Sequence, residues 1–148
     1  MAWSIFDRFM ERQHDGNGGN LDAAGDTLKC MLLDDIREPV DATDIHTDDM
    51  DANEVSGTNY TAGGETLANQ VITLAAGTVT FDGDDIVWSA SGTGFADARY
   101  AVIYIEADAT PANDRVICYA DLGGNVGNTS GDLTLEMNAS GIWILTNA

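Results

Sequence analysis

The chain has 148 residues, enough for one domain, or one domain with an appendage, and long enough to bury a core without covalent staples. Hydrophobic residues make up 44% and charged residues 21%, which excludes wholesale disorder. Six Lys+Arg oppose 25 Asp+Glu, for a net charge of −19, and Lys29 is the single lysine. Such a chain lacks the clustered cations that track nucleic-acid phosphates or anionic membrane surfaces.

Residues 2–13 predict an amphipathic helix, because Ala2, Ile5, Phe6, Phe9 and Met10 recur at helical spacing with Trp3 beside them. Ser4, Asp7, Arg8, Glu11 and Arg12 take the other side. The run His14-Asp15-Gly16-Asn17-Gly18-Gly19-Asn20 stops it. So short a helix is marginal alone and needs a surface to pack on. The segment has no basic stretch followed by an apolar one, so a secretory signal is not expected. No apolar run approaches the roughly 20 residues of a membrane span.

Residues 27–33 (TLKCMLL) read as the first strand. Residues 34–59 are rich in acids and lack aliphatic periodicity, so they read as a long acidic loop with one helical turn near Thr43–Met50. A loop of that length is expected to be functional surface or to be ordered by a partner.

From residue 60 the pattern is β throughout. Strands are predicted at Leu67–Leu74, Thr78–Asp82, Asp85–Ser89, Arg99–Ala107, Arg115–Leu122, Asp132–Asn138 and Ile142–Thr146. Turn residues separate them, among them Ala76-Gly77, Gly83-Asp84, Ser91-Gly92-Thr93-Gly94 and Gly123-Gly124-Asn125. Tyr100–Ile105 is apolar on both faces and should be central, or covered by the N-terminal helix. The expected fold is therefore all-β: an antiparallel sandwich or jelly-roll-like domain over 27–148, preceded by a helical docking segment, 1–26.

Candidate chemistry is sparse. Cys30 and Cys118 sit in predicted strands outside any CxxC pair, which reads as two small buried hydrophobes, with a disulfide between adjacent strands as the alternative. The glycine-rich string Asp15–Asp22 has oxygen ligands for a hard cation, but Asn20 and Asp26 stand where an EF-hand needs Gly and Glu. Asp82-Gly83-Asp84-Asp85 is explained by a hairpin turn. His14 and His46 stand near no nucleophile signature, and no phosphate-binding loop is present. Trp3, Trp88, Trp143, Tyr60, Tyr100, Tyr104 and Tyr119 offer either a sugar-stacking platform or, more simply, core. Asn128-Thr129-Ser130 and Asn138-Ala139-Ser140 are formal glycosylation sequons, given no weight without a secretory signal. No cofactor, no metal and no catalytic residue is expected.

Five strings, in this order, carry a resemblance: Trp3-Ser-Ile-Phe-Asp-Arg-Phe; DTLKCMLL at 26–33; Tyr60–Leu67; the run 79–90 with Arg99–Tyr104; and the closing 133–145. Together they resemble small virion structural proteins of tailed bacteriophages, over nearly the whole chain. The long 34–59 segment departs from that pattern. The resemblance implies a non-enzymatic particle protein located in the virion, first of all a capsid decoration (cement) protein that binds the major capsid protein from outside, often as a homotrimer. It implies no nucleic acid and no membrane partner. Trp3, Phe6, Phe9 and Met10 are the expected partner contacts. The alternative is a tail, fibre or head-spike component that attaches to host-surface glycans. A free calcium-dependent lectin-like module is a weaker third reading.

Overall fold

A computed structural model of the chain describes residues 1–22 and 25–146. Among these, ten strands and one α-helix follow the chain as β1 (Trp3–Ile5), α1 (Asp7–Asp15), β2 (Thr27–Leu33), β3 (Glu65–Thr66), β4 (Val71–Ala75), β5 (Thr78–Asp82), β6 (Ile86–Trp88), β7 (Ala98–Glu106), β8 (Arg115–Val126), β9 (Leu133–Leu135) and β10 (Trp143–Thr146). All pairings are antiparallel. The main sheet has the order β1-β8-β7-β2-β3, and two smaller sheets are β10-β5-β4 and β6-β9. This is the expected all-β, sandwich-like class with one short helix.

β7 lies at the centre of the main sheet, and Tyr100–Ile105 is buried along its length. The two-faced apolar run is thereby explained. Register gives each face its partners. Lys29 pairs with Tyr104 and Met31 with Val102, so these share one face; Cys30 and Cys118 both oppose Ile103 on the other. Met31 and Tyr104 line a cleft together with Thr47 and Glu54, so the 34–59 segment covers the first face. Leu32 lines a cavity with Trp88 and Leu135, so the second face looks toward the small sheets. One continuous core joins them.

Four expectations are corrected. The helix starts later than Ala2, because Trp3 and Ile5 alternate with Ser4 and pair with the open edge of β8, Ile5 opposite Cys118. It also runs on through His14 to Asp15, where Gly16 at φ 83° ends it. The 34–59 segment has the helical turn expected near Thr43–Met50, a 3-10 turn at Thr47–Asp49 followed by another at Asp51–Asn53, but it is an ordered cover and not an open acidic loop: Met50 and Val55 enter the core, Leu33 bridges Glu54 and His46 bridges Arg115. Its carboxylates cap its own backbone; Asp44 accepts from Arg37 and the Val40 N–H, and Asp49 from the N–H groups of Ile45 and His46. The run Leu67–Leu74 splits, because Asn69 adopts φ 50° where the chain passes from the main sheet to a small one. β8 runs through Gly123-Gly124-Asn125, and a register shift opposite Ala98–Tyr100 absorbs the extra residues.

Residues 1–26, read from the sequence as a docking segment, contribute β1 to the main sheet and Phe6, Phe9 and Leu21 to the common core.

Candidate docking groove

An apolar groove of about 670 Å³ lies between α1 and the β10-β5-β4 sheet. The small sheet makes one wall. Val79 is register partner to both Leu74 and Leu145, and Phe81 to both Ile72 and Trp143, so all six project from one face. The inner end of that face is core: Phe81 is fully buried and packs on the Trp143 ring at 5.6 Å. The outer end is open, with Leu74 73% and Leu145 52% exposed.

α1 makes the other wall. Phe6, at the N-cap, turns wholly inward and meets Tyr119 at 5.2 Å. Phe9 is buried at the groove floor beside Ile5, and Met10, one position on, is 49% exposed at the rim. Gln13 and His14 complete the helical wall, with Gln13 held by Gly18 O at 2.9 Å and His14 Nδ1 by Met10 O at 2.9 Å. Of the four expected contact residues, Phe6 and Phe9 are therefore consumed by the chain's own core. Trp3 is half-buried, and Met10 is available. The amphipathic signal that singled them out is the same whether a face meets a partner or its own sheet.

Sequence reasoning missed Leu74, Val79, Leu145 and the open end of Trp143 as one surface. Alternation places residues on a face within each strand, but the neighbours are set by register. The indole Nε1 groups of Trp3, Trp88 and Trp143 are buried without an acceptor among the described residues. Trp88, Tyr100 and Tyr104 are buried, as the core reading expected, so they form no sugar platform.

A second concavity, about 430 Å³, has several charged side chains in its lining and lies under the 34–59 segment. Glu54 accepts Tyr60 Oη at 2.6 Å and the Gly63 N–H at 2.7 Å, Tyr104 Oη donates to Gly63 O at 2.7 Å, and Lys29 pairs with Glu106 at 2.9 Å. Burial raises the Glu54 and Asp114 carboxyls above the usual range despite their hydrogen bonds. These groups satisfy one another and tie the cover segment to the sheet.

Carboxylates of the calcium-like strings accept hydrogen bonds from the chain's own groups. Asp15 accepts from the Asn17 N–H, Asp82 from the Gly83 N–H, Asp84 from Asn69 and Asp85 from the Met137 N–H. His46, Asp48 and Asp49 bring one potential ligand atom each within 4.8 Å of one another, a grouping not foreseen from spacing. Cys30 and Cys118 are free and buried. They stand on either side of β7, about 9.5 Å apart at two strand spacings, beyond the roughly 7 Å a disulfide tolerates.

No helix among the described residues is long and apolar enough to cross a membrane. Comparison with protein-family models, curated proteins and solved structures finds no match.

Proposed function

We propose that this chain is a non-enzymatic structural component of a tailed-bacteriophage virion, a capsid decoration protein seated on the outside of the head. The observation that carries the docking part of this reading is the groove: an open apolar surface with exposed Met10 and Leu145, and exposed Leu74 on the same sheet face, on a molecule of net charge −19. Exposed apolar surface bordered by polar groups is characteristic of a partner site. The virion assignment itself rests on the ordered string of sequence segments.

In this reading the groove and Trp3 meet the major capsid protein, while Phe6 and Phe9 hold α1 in place. The acidic remainder faces solvent and keeps particles apart by like-charge repulsion. A homotrimer at a lattice symmetry axis is the expected assembly. Many copies share the load, so modest affinity per copy suffices.

Quantitative mass spectrometry of purified particles tests this. On the order of one copy per capsid subunit, or one trimer per local threefold axis, is expected. A handful of copies would move the protein to the tail or a spike, where host-surface attachment becomes the reading. Absence from particles would overturn the virion assignment.

A further inference from the structure

We propose that the groove receives an apolar stretch flanked by lysine or arginine on a partner protein, and not a second copy of this chain. The proposal deepens the docking reading above and rests on it for the existence of a protein partner.

The argument is one of charge accounting. Four of the chain's six cations are ion-paired within the chain. Arg8 pairs with Glu11, Lys29 with Glu106, Arg37 with Asp44 and Arg99 with Asp121. Arg115 donates to Asn17 O, and Arg12 Nη2 lies 3.3 Å from His46 Nε2. A second copy would bring only Arg12 and Arg115 outside these ion pairs, against 25 acids. It would bring its own excess of carboxylates to the groove, and like charges brought together there oppose a self-contact at this site, so the trimer expected above would use another surface. At the groove itself Asp22 lies in the lining, while on α1 Glu11 is paired with Arg8 and Asp15 stands beyond His14.

A basic-flanked apolar segment meets both conditions at once. Its apolar residues replace water against Met10, Val79 and Leu145. Its cations enter the field of a −19 surface, which raises the rate of encounter and makes binding salt-sensitive.

The test uses the full chain and three labelled synthetic peptides of equal length: leucine–lysine, leucine–glutamate and serine–lysine. Fluorescence anisotropy gives affinity, and ¹³C-methyl methionine labelling locates binding, with buried Met31 and Met50 as internal references to exposed Met10. The leucine–lysine peptide should bind, more weakly as salt rises, and should shift the Met10 methyl alone of the three. Met10→Asp and Leu145→Asp should each weaken it by about tenfold or more, although both add negative charge. Both sites are exposed, so folding should survive.

The proposal fails if the serine–lysine or leucine–glutamate peptide binds as tightly as leucine–lysine, or if neither substitution matters. It also fails if sedimentation shows a self-association that Leu145→Asp dissolves, since the occupant is then a second copy. Particle mass spectrometry reads separately: absence from virions would end the virion reading and leave the peptide result standing.

Discussion

Asn128 and Phe95 bond each other twice: the Phe95 N–H donates to Asn128 Oδ1 at 3.0 Å, and the Asn128 N–H to Phe95 O at 3.0 Å. Asn128 Nδ2 also donates to Ser89 O at 2.9 Å and Thr58 O at 3.2 Å. One fully buried side chain thus joins the end of the 34–59 segment, the end of β6 and the 91–95 turn. A sequon asparagine is in reality an internal strut. Asn128→Ala should cost about 2–4 kcal/mol in urea unfolding, because it removes the partners of the Phe95 N–H and Thr58 O and leaves Ser89 O with only the longer bond from Asn59. Gly94→Ala should be comparably damaging, since its Cβ would lie 1.8 Å from Asn128 Oδ1.

Phe9 and Met10 are adjacent on α1 but should behave oppositely. Phe9→Ala should cost about 3–5 kcal/mol by opening a cavity in the core. Met10→Ala should change stability by less than about 0.5 kcal/mol and act instead on particle incorporation. Equal stability losses at both positions would contradict the burial difference.

Glu54 carries a pH signature. Its carboxyl is raised by burial in the fold, so the native state holds a proton that the unfolded chain releases at lower pH. Its contribution is therefore favourable at low pH and is lost as pH rises through the folded value, from above about pH 4.3. Glu54→Gln should remove that decline. Asp49 runs the other way: the Ile45 and His46 N–H groups hold it low despite some burial, so its contribution is lost on acidification. Urea unfolding midpoints of the wild type and both amide variants from about pH 2 to pH 7 check the two signs.

The thiols should be silent until the chain unfolds. Burial pushes both Cys30 and Cys118 upward, away from the reactive thiolate. Ellman's reagent should label neither in the native protein and both in urea. Rapid native labelling would mean that the β2-β7-β8 face opens easily.

The β4–β5 hairpin turns on Ala76 at φ 50° and Gly77 at φ 80°. Both central residues are left-handed, the geometry of a type I′ turn, which suits Asn-Gly far better than Ala-Gly. Ala76→Asn should stabilise by about 1 kcal/mol, read from the shift of the thermal midpoint.

Much of the architecture was legible. Thr27–Leu33 and Thr78–Asp82 form the strands read from the sequence, the second from its alternation, and the two-faced run of β7 declared its central place. Reading failed where a local pattern met a distant partner. Trp3–Ile5 has a helical face as written, yet the open edge of β8 draws it into a sheet. Residues 34–59 show no periodicity because their order comes from side-chain caps and two core anchors, Met50 and Val55, which leave no repeat to detect.

The sequence by itself determined the all-β class, the burial of both cysteines and Trp88, and the acidic exterior, because period-2 alternation and composition are local or additive properties. Only the tertiary structure decided that Phe6 and Phe9 face inward while Met10 faces out. It alone assembled Ile72, Val79, Trp143 and Leu145 into one wall opposite α1. The reason is that a strand's pattern states which residues share its face. Which strand lies beside it, and what that face then covers or leaves open, is set by contacts made across long stretches of chain.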